Sequence, residues 1–93
     1  VHDPDEWWEE RRLLARKLLD AGEHRTAFRV AREAAMPEKE GSRVEHLFTA
    51  GWIAFRFLND PATAKPLFAA TIQVAEHPAS RSRGHYWHAR ASE

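Results

Sequence analysis

The sequence predicts an all-α chain of about five helices, stacked as helical hairpins into an α-solenoid. Three observations predict it. Apolar residues recur at helical spacing along most of the 93 residues. The segment Val44–Leu58 is apolar almost all the way round, so it needs neighbours on several sides. A pattern of bulky helix, tight turn and small-faced helix occurs twice, offset by 37 residues.

The first helix is predicted from Pro4 to about Ala21. Asp3 is its N-cap, Pro4 suits the first helical position, and Glu6 follows three residues after the cap. Trp7, Leu14, Leu18 and Ala21 form its expected inner face, with Trp8, Ala15 and Leu19 beside them. Arg11 falls within that apolar face. Its stem is expected to pack on Trp7 or Trp8 while its head finds a carboxylate or leaves the core.

Gly22 stops this helix. The second is predicted from about His24 to Ala35, with Ala27, Ala31 and Ala34 on its inner face. A polar loop, residues 37–42, ends at Ser42, the expected cap of the central helix. In that helix Glu45, Thr49 and Arg56 share a narrow polar strip, and His46 lies to one side. Trp52 is expected in the core.

Asp60 and Pro61 open a fourth helix that runs to about Glu76. Pro66 inside it is expected to kink or restart it, and Pro78 is expected to close it. Ser80 then caps a last helix, Arg81 to Ala91, for which the chain offers no visible partner.

The offset relates Ala27, Ala31 and Ala34 to Ala64, Phe68 and Thr71, and Leu18 to Phe55. This is the logic of a tetratricopeptide-type hairpin, whose usual period is about 34 residues. Two and a half such repeats account for one domain over residues 1–93. The usual Leu-Gly pair of the first helix is absent, and Gly51-Trp52 falls near its place.

Composition narrows the function. Lys plus Arg and Asp plus Glu are 14 each, so the formal charge is zero. A general nucleic-acid binder carries a basic excess. There is no cysteine, which excludes disulfides and Cys-based zinc sites. The apolar run is too short and too charged to span a membrane. A start at Val1 is expected of a piece, or a processed form, of a longer chain.

No residue reads as catalytic, metal-binding or cofactor-binding. Glu6, Glu9 and Glu10 lie together on the first helix, yet paired-carboxylate glycoside chemistry needs a cleft that raises one pKa, and these sit on a charged surface. His85 and His88 lie three apart without an evident third ligand, whereas zinc takes three or four. The strongest contact candidates are Arg81, Arg83, Tyr86, Trp87 and Arg90, a basic and aromatic cluster suited to an acidic partner or a glycan. Tyr86 and Trp87 also form an apolar patch, through which the chain is expected to self-associate.

Four runs together resemble a known family. They are Trp7-Trp8-x-Glu10-Arg11-Arg12, Ala15-Arg16-Lys17-Leu18-Leu19, Ala50-Gly51-Trp52-Ile53-Ala54-Phe55-Arg56-Phe57-Leu58 and Tyr86-Trp87-x-Ala89-Arg90-Ala91. The combination resembles the helical superhelix region of soluble lytic murein transglycosylases, with Ala89 where that family commonly has Gly. The resemblance implies a periplasmic parent enzyme that cleaves MurNAc–GlcNAc bonds of peptidoglycan to 1,6-anhydro products. It implies that the chemistry resides in a lysozyme-like domain whose Glu-Ser motif these residues lack. The expected role is a non-catalytic scaffold that contacts glycan strands or the parent's catalytic domain. The alternative is a stand-alone tetratricopeptide-like module that binds protein segments.

Overall fold

The computed structural model describes residues 3–33 and 36–93. Five helices follow one another: α1 (Pro4–Asp20), α2 (His24–Arg32), α3 (Glu40–Arg56), α4 (Pro61–Val74) and α5 (Pro78–Ala91). No strand occurs among the described residues. Each helix packs on the next. In addition, α3 touches both α1 and α5, whereas the backbones of α2 and α4 stay apart and Phe28 of α2 packs against the cluster of Ala54, Ala64 and Phe68. The odd helices therefore form one layer and the even helices the other, as in a helical-hairpin solenoid. The slab measures 38 × 31 × 16 Å.

Local chemistry sets most of the ends. Asp3 accepts the Asp5 N–H at 2.9 Å and Pro4 opens α1. Gly22, at φ +82°, closes α1. Its N–H donates to Leu19 O and the Glu23 N–H to Leu18 O, the paired bonds of a Schellman turn. Asn59, 37 residues later, is also left-handed, at φ +53°. Asp60 accepts from both the backbone N–H and the hydroxyl of Thr63. Those two bonds hold its carboxyl below the usual range, the hydroxyl bond first.

Two predicted caps are displaced. Helix α3 begins at Glu40, and Ser42 lies within its first turn. The Asp5 carboxylate, brought from α1, takes the Lys39 N–H at 3.1 Å, and Glu40 Oε1 takes the Glu76 N–H at 3.2 Å. These two ties join the start of α3 to the start of α1 and to the α4–α5 turn. Helix α5 begins at Pro78, with His77 as N-cap, so Ser80 is also inside. Pro78 opens α5 because a first-turn proline sacrifices no helical hydrogen bond. Pro66 does not restart α4, which is continuous from Pro61 to Val74. Pro66 and Ala62, whose carbonyl loses its helical donor, are both exposed, and water can satisfy that carbonyl. Ala34 and Ala35, expected on the face and at the end of α2, lie outside the described residues.

Packing rotates α1 from its expected orientation. Trp8 and Ala15 are fully buried, Trp7 and Leu18 are half-buried, and Leu14 is 47 % exposed. The stripe through Trp8, Ala15 and Leu19 faces α2 and α3 because those two helices converge there. Arg11 Nε donates to the Val30 carbonyl at 2.8 Å while its guanidinium lies 6.0 Å from the Trp7 ring. The head thus finds a carbonyl rather than a carboxylate.

Trp8, Ala15, Ala27, Ala31 and Ile53 belong to one core cluster. Ala64, Phe68 and Ala91 belong to a second. Trp52 is half-buried, so Trp8 is the tryptophan that anchors the core. The last helix has partners after all: Gly84 of α5 is buried against Thr71 and Ile72 of α4, and Trp87 reaches Phe68.

His46 is also buried, at 5 % exposure, and its ring meets Trp8 edge-on at 5.1 Å. Burial pushes its pKa below the usual histidine value. The Ala31 backbone opposes that shift, and the charge of Arg32 adds to it.

Candidate binding face along α1, α3 and α5

The outward side of α3 carries two kinds of residue. Phe48 and Phe55, seven apart, lean toward α5. Glu45, Thr49 and Trp52 lean toward α1. Seven residues make nearly two turns, so Phe48 and Phe55 stand one above the other.

On the α5 side, Trp87 lies 6.3 Å from Phe48, 5.9 Å from Phe55 and 6.3 Å from Phe68. Tyr86 meets Trp87 edge-on at 5.4 Å and is 55 % exposed. Two arginines cover these rings. The Arg83 guanidinium lies 4.2 Å from the Phe48 centroid, inside the range of a cation–π contact. That of Arg90 is 5.7–5.9 Å from Trp87, Tyr86 and Phe55. Arg90 Nη1 also donates to the Tyr86 hydroxyl at 3.0 Å, and its Nε is 3.7 Å from Glu93. Helix α5 contains three arginines and no acidic residue.

Four of the five predicted contact residues therefore come together: Arg83, Tyr86, Trp87 and Arg90. Arg81 does not. Its Nη1 donates to the carbonyls of Ile72 and Ala75 at 3.2 and 3.3 Å. It serves the last turn of α4, where carbonyls lack helical donors. Phe48 and Phe55, which complete the cluster, were read from sequence only as core.

The α1 side of α3 differs. A groove of about 150 Å³ opens between the helices, with Arg12 and Arg16 on one wall and Glu45, Thr49 and Trp52 on the other. The sequence carried a signal for it. The polar strip on an otherwise apolar α3 marks the side that no helix covers, and Trp52 borders that strip.

The carboxylates of α1 form no cleft. Glu6, Glu9 and Glu10 are exposed, and Glu9 pairs with Arg12 at 3.0 Å. His85 is exposed and His88 half-buried. No group of three or more His, Cys, Asp or Glu able to hold a metal occurs among the described residues. No helix among them is long and apolar enough to cross a membrane. The arrangement is suited to recognition: aromatic faces for stacking, and guanidinium donors for carboxylates or hydroxyls. No family model, no curated protein and no solved structure matches the chain.

Proposed function

We propose that this chain is a non-catalytic binding and scaffold module, the superhelical part of a periplasmic lytic transglycosylase that cleaves peptidoglycan. The observation that carries this reading is the arginine–aromatic cluster of Phe48, Phe55, Arg83, Tyr86, Trp87 and Arg90. Sugar rings stack on aromatic faces, and peptide-stem carboxylates pair with guanidinium groups. The sequence runs that resemble the transglycosylase superhelix support the choice of polymer. Bond cleavage belongs, on this reading, to a separate lysozyme-like domain of the parent.

Co-sedimentation with peptidoglycan sacculi tests it, at low and at physiological salt, with the supernatant assayed for anhydro-muropeptides. The expected result is binding without release, weakened in Tyr86→Ala and in Arg83→Gln/Arg90→Gln. Absence of binding at both salts would remove the cell-wall reading. The second reading, a stand-alone protein-binding module, draws on the groove between α1 and α3, which is open along the same face. Capture of an extended peptide with no affinity for sacculi would favour it.

A further inference from the structure

The groove between α1 and α3 has charged walls of opposite sign that do not meet. Arg16 stands on the α1 wall and Glu45 on the α3 wall, both exposed. Two ion pairs occur among the described residues, Arg12–Glu9 and Arg90–Glu93, and neither crosses the groove. Arg12 is already drawn to Glu9 on its own helix. Arg16 is then the guanidinium left for a ligand, and Glu45 the carboxylate. The Thr49 hydroxyl lies one turn of α3 beyond Glu45 and is able both to donate and to accept. Between the walls are Ala15 and Ile53, both buried, and the half-buried indole of Trp52.

Chemistry restricts the occupant more than size does. The groove is open, and its volume of about 150 Å³ leaves room between the walls for a molecule of about six heavy atoms. Opposed charges over an apolar floor match a molecule with an anionic and a cationic end and a small apolar group. We infer that this groove binds an amino-acid-sized zwitterion. Its carboxylate lies on Arg16, its ammonium on Glu45, and its small apolar side chain on Trp52. Alanine has six heavy atoms and all three features. The inference goes beyond the scaffold reading and does not rest on it, because it concerns different residues and a free small molecule.

The test titrates the full chain with L-alanine and follows the Trp52 indole N–H by NMR, assigned through Trp52→Phe. A saturable shift is expected. N-acetylalanine lacks the ammonium and alaninamide lacks the carboxylate. Each should bind about tenfold more weakly or worse, the scale of one lost charge-assisted hydrogen bond. Arg16→Gln should weaken alanine to a similar extent and leave alaninamide unchanged. Glu45→Gln should do the same for alanine and leave N-acetylalanine unchanged. Both residues are exposed, so both variants should keep the parental circular dichroism. No saturable response to alanine would overturn the inference, and so would equal binding of alanine and the two blocked probes. Binding to sacculi is a separate readout, so loss of one reading leaves the other standing.

Discussion

Helix α2 faces the core with Ala27 and Ala31, whereas the equivalent positions of α4 are Ala64 and Phe68, and all four are fully buried. The bulk gained at Phe68 is offset on the partner helix. Helices α1 and α3 are both 17 residues long, and Ala15 and Gly51 are each the twelfth residue counted from the start of their helix. A Cβ on Gly51 would come within 2.9 and 3.0 Å of the Phe68 ring and 3.2 Å of Leu67 Cβ. The first hairpin closes by small-on-small contact with a tryptophan alongside. The second closes by seating a ring against a glycine. Interiors this dense allow the same backbone to be filled in either way, provided total volume is kept.

The largest effects should come from deleting each anchor. Trp8→Ala and Phe68→Ala should each cost about 3–5 kcal/mol, read by denaturant melts, because both side chains are fully buried. Trp52→Ala should cost clearly less, since Trp52 is half-buried beside the open groove. If Trp52→Ala matched Trp8→Ala, the assignment of the first anchor would fail.

Glycine substitutions sharpen the comparison. In α3, Gly51→Ala adds about 1 kcal/mol of helix propensity but overpacks against a buried ring and a Cβ, at about 1–3 kcal/mol. A net loss is expected. Gly84→Ala in α5 meets Ile72 Cγ1 at 2.8 Å, yet Ile72 is half-exposed and its other neighbours lie at 3.5 Å or more. That atom sits on a branched Cβ whose χ1 is stiff within α4, so α5 itself must shift slightly, and a net loss smaller than at Gly51 is expected. Equal losses would mean that α5 is seated as rigidly as α3.

What was legible in the sequence follows from range. Asp3-Pro4, Gly22 and Asp60-Pro61 act within a few residues, and the structure uses all of them. Ser42 and Ser80 looked equally good, but the Lys39 N–H is served by Asp5, 34 residues away. Trp7 and Trp8 are adjacent, 100° apart around one helix, and only the convergence of α2 and α3 decides between them. The same holds at the site. Arg81 and Arg83 read alike, yet two residues rotate a helical side chain by 200°. One therefore turns to the end of α4 and the other to Phe48. The polar strip of α3 points to the side of the groove beside Trp52, but its width depends on the separation of α1 from α3, which no local pattern encodes.

The two halves should also differ in pH response. His46 sits in the first core cluster's neighbourhood, against Trp8, and its Nδ1 has no hydrogen-bond partner among the described residues. Its folded pKa lies below the usual 6.5, chiefly from burial. As pH falls through 6.5 the unfolded chain takes up the proton first, so stability should fall from there until the folded pKa is passed. Above 6.5 the contribution is complete. His46→Gln should flatten that part of the pH–stability profile. An unchanged slope would show that another group governs it.

The smallest expected effect separates a structural arginine from those proposed to bind. Arg81 donates to two carbonyls at the C-terminal end of α4 from an exposed position, so Arg81→Gln should cost only about 0.5–1 kcal/mol. It should leave sacculus binding unchanged, because those bonds point away from the aromatic cluster. Arg83→Gln should do the reverse. Its guanidinium covers Phe48 on the outer face, so the melt should hardly change while sacculus binding weakens. Both changes remove one positive charge from α5. A purely electrostatic attraction would lose the same affinity from either, and equal losses would mean that net charge, rather than the arginine–aromatic geometry, holds the ligand.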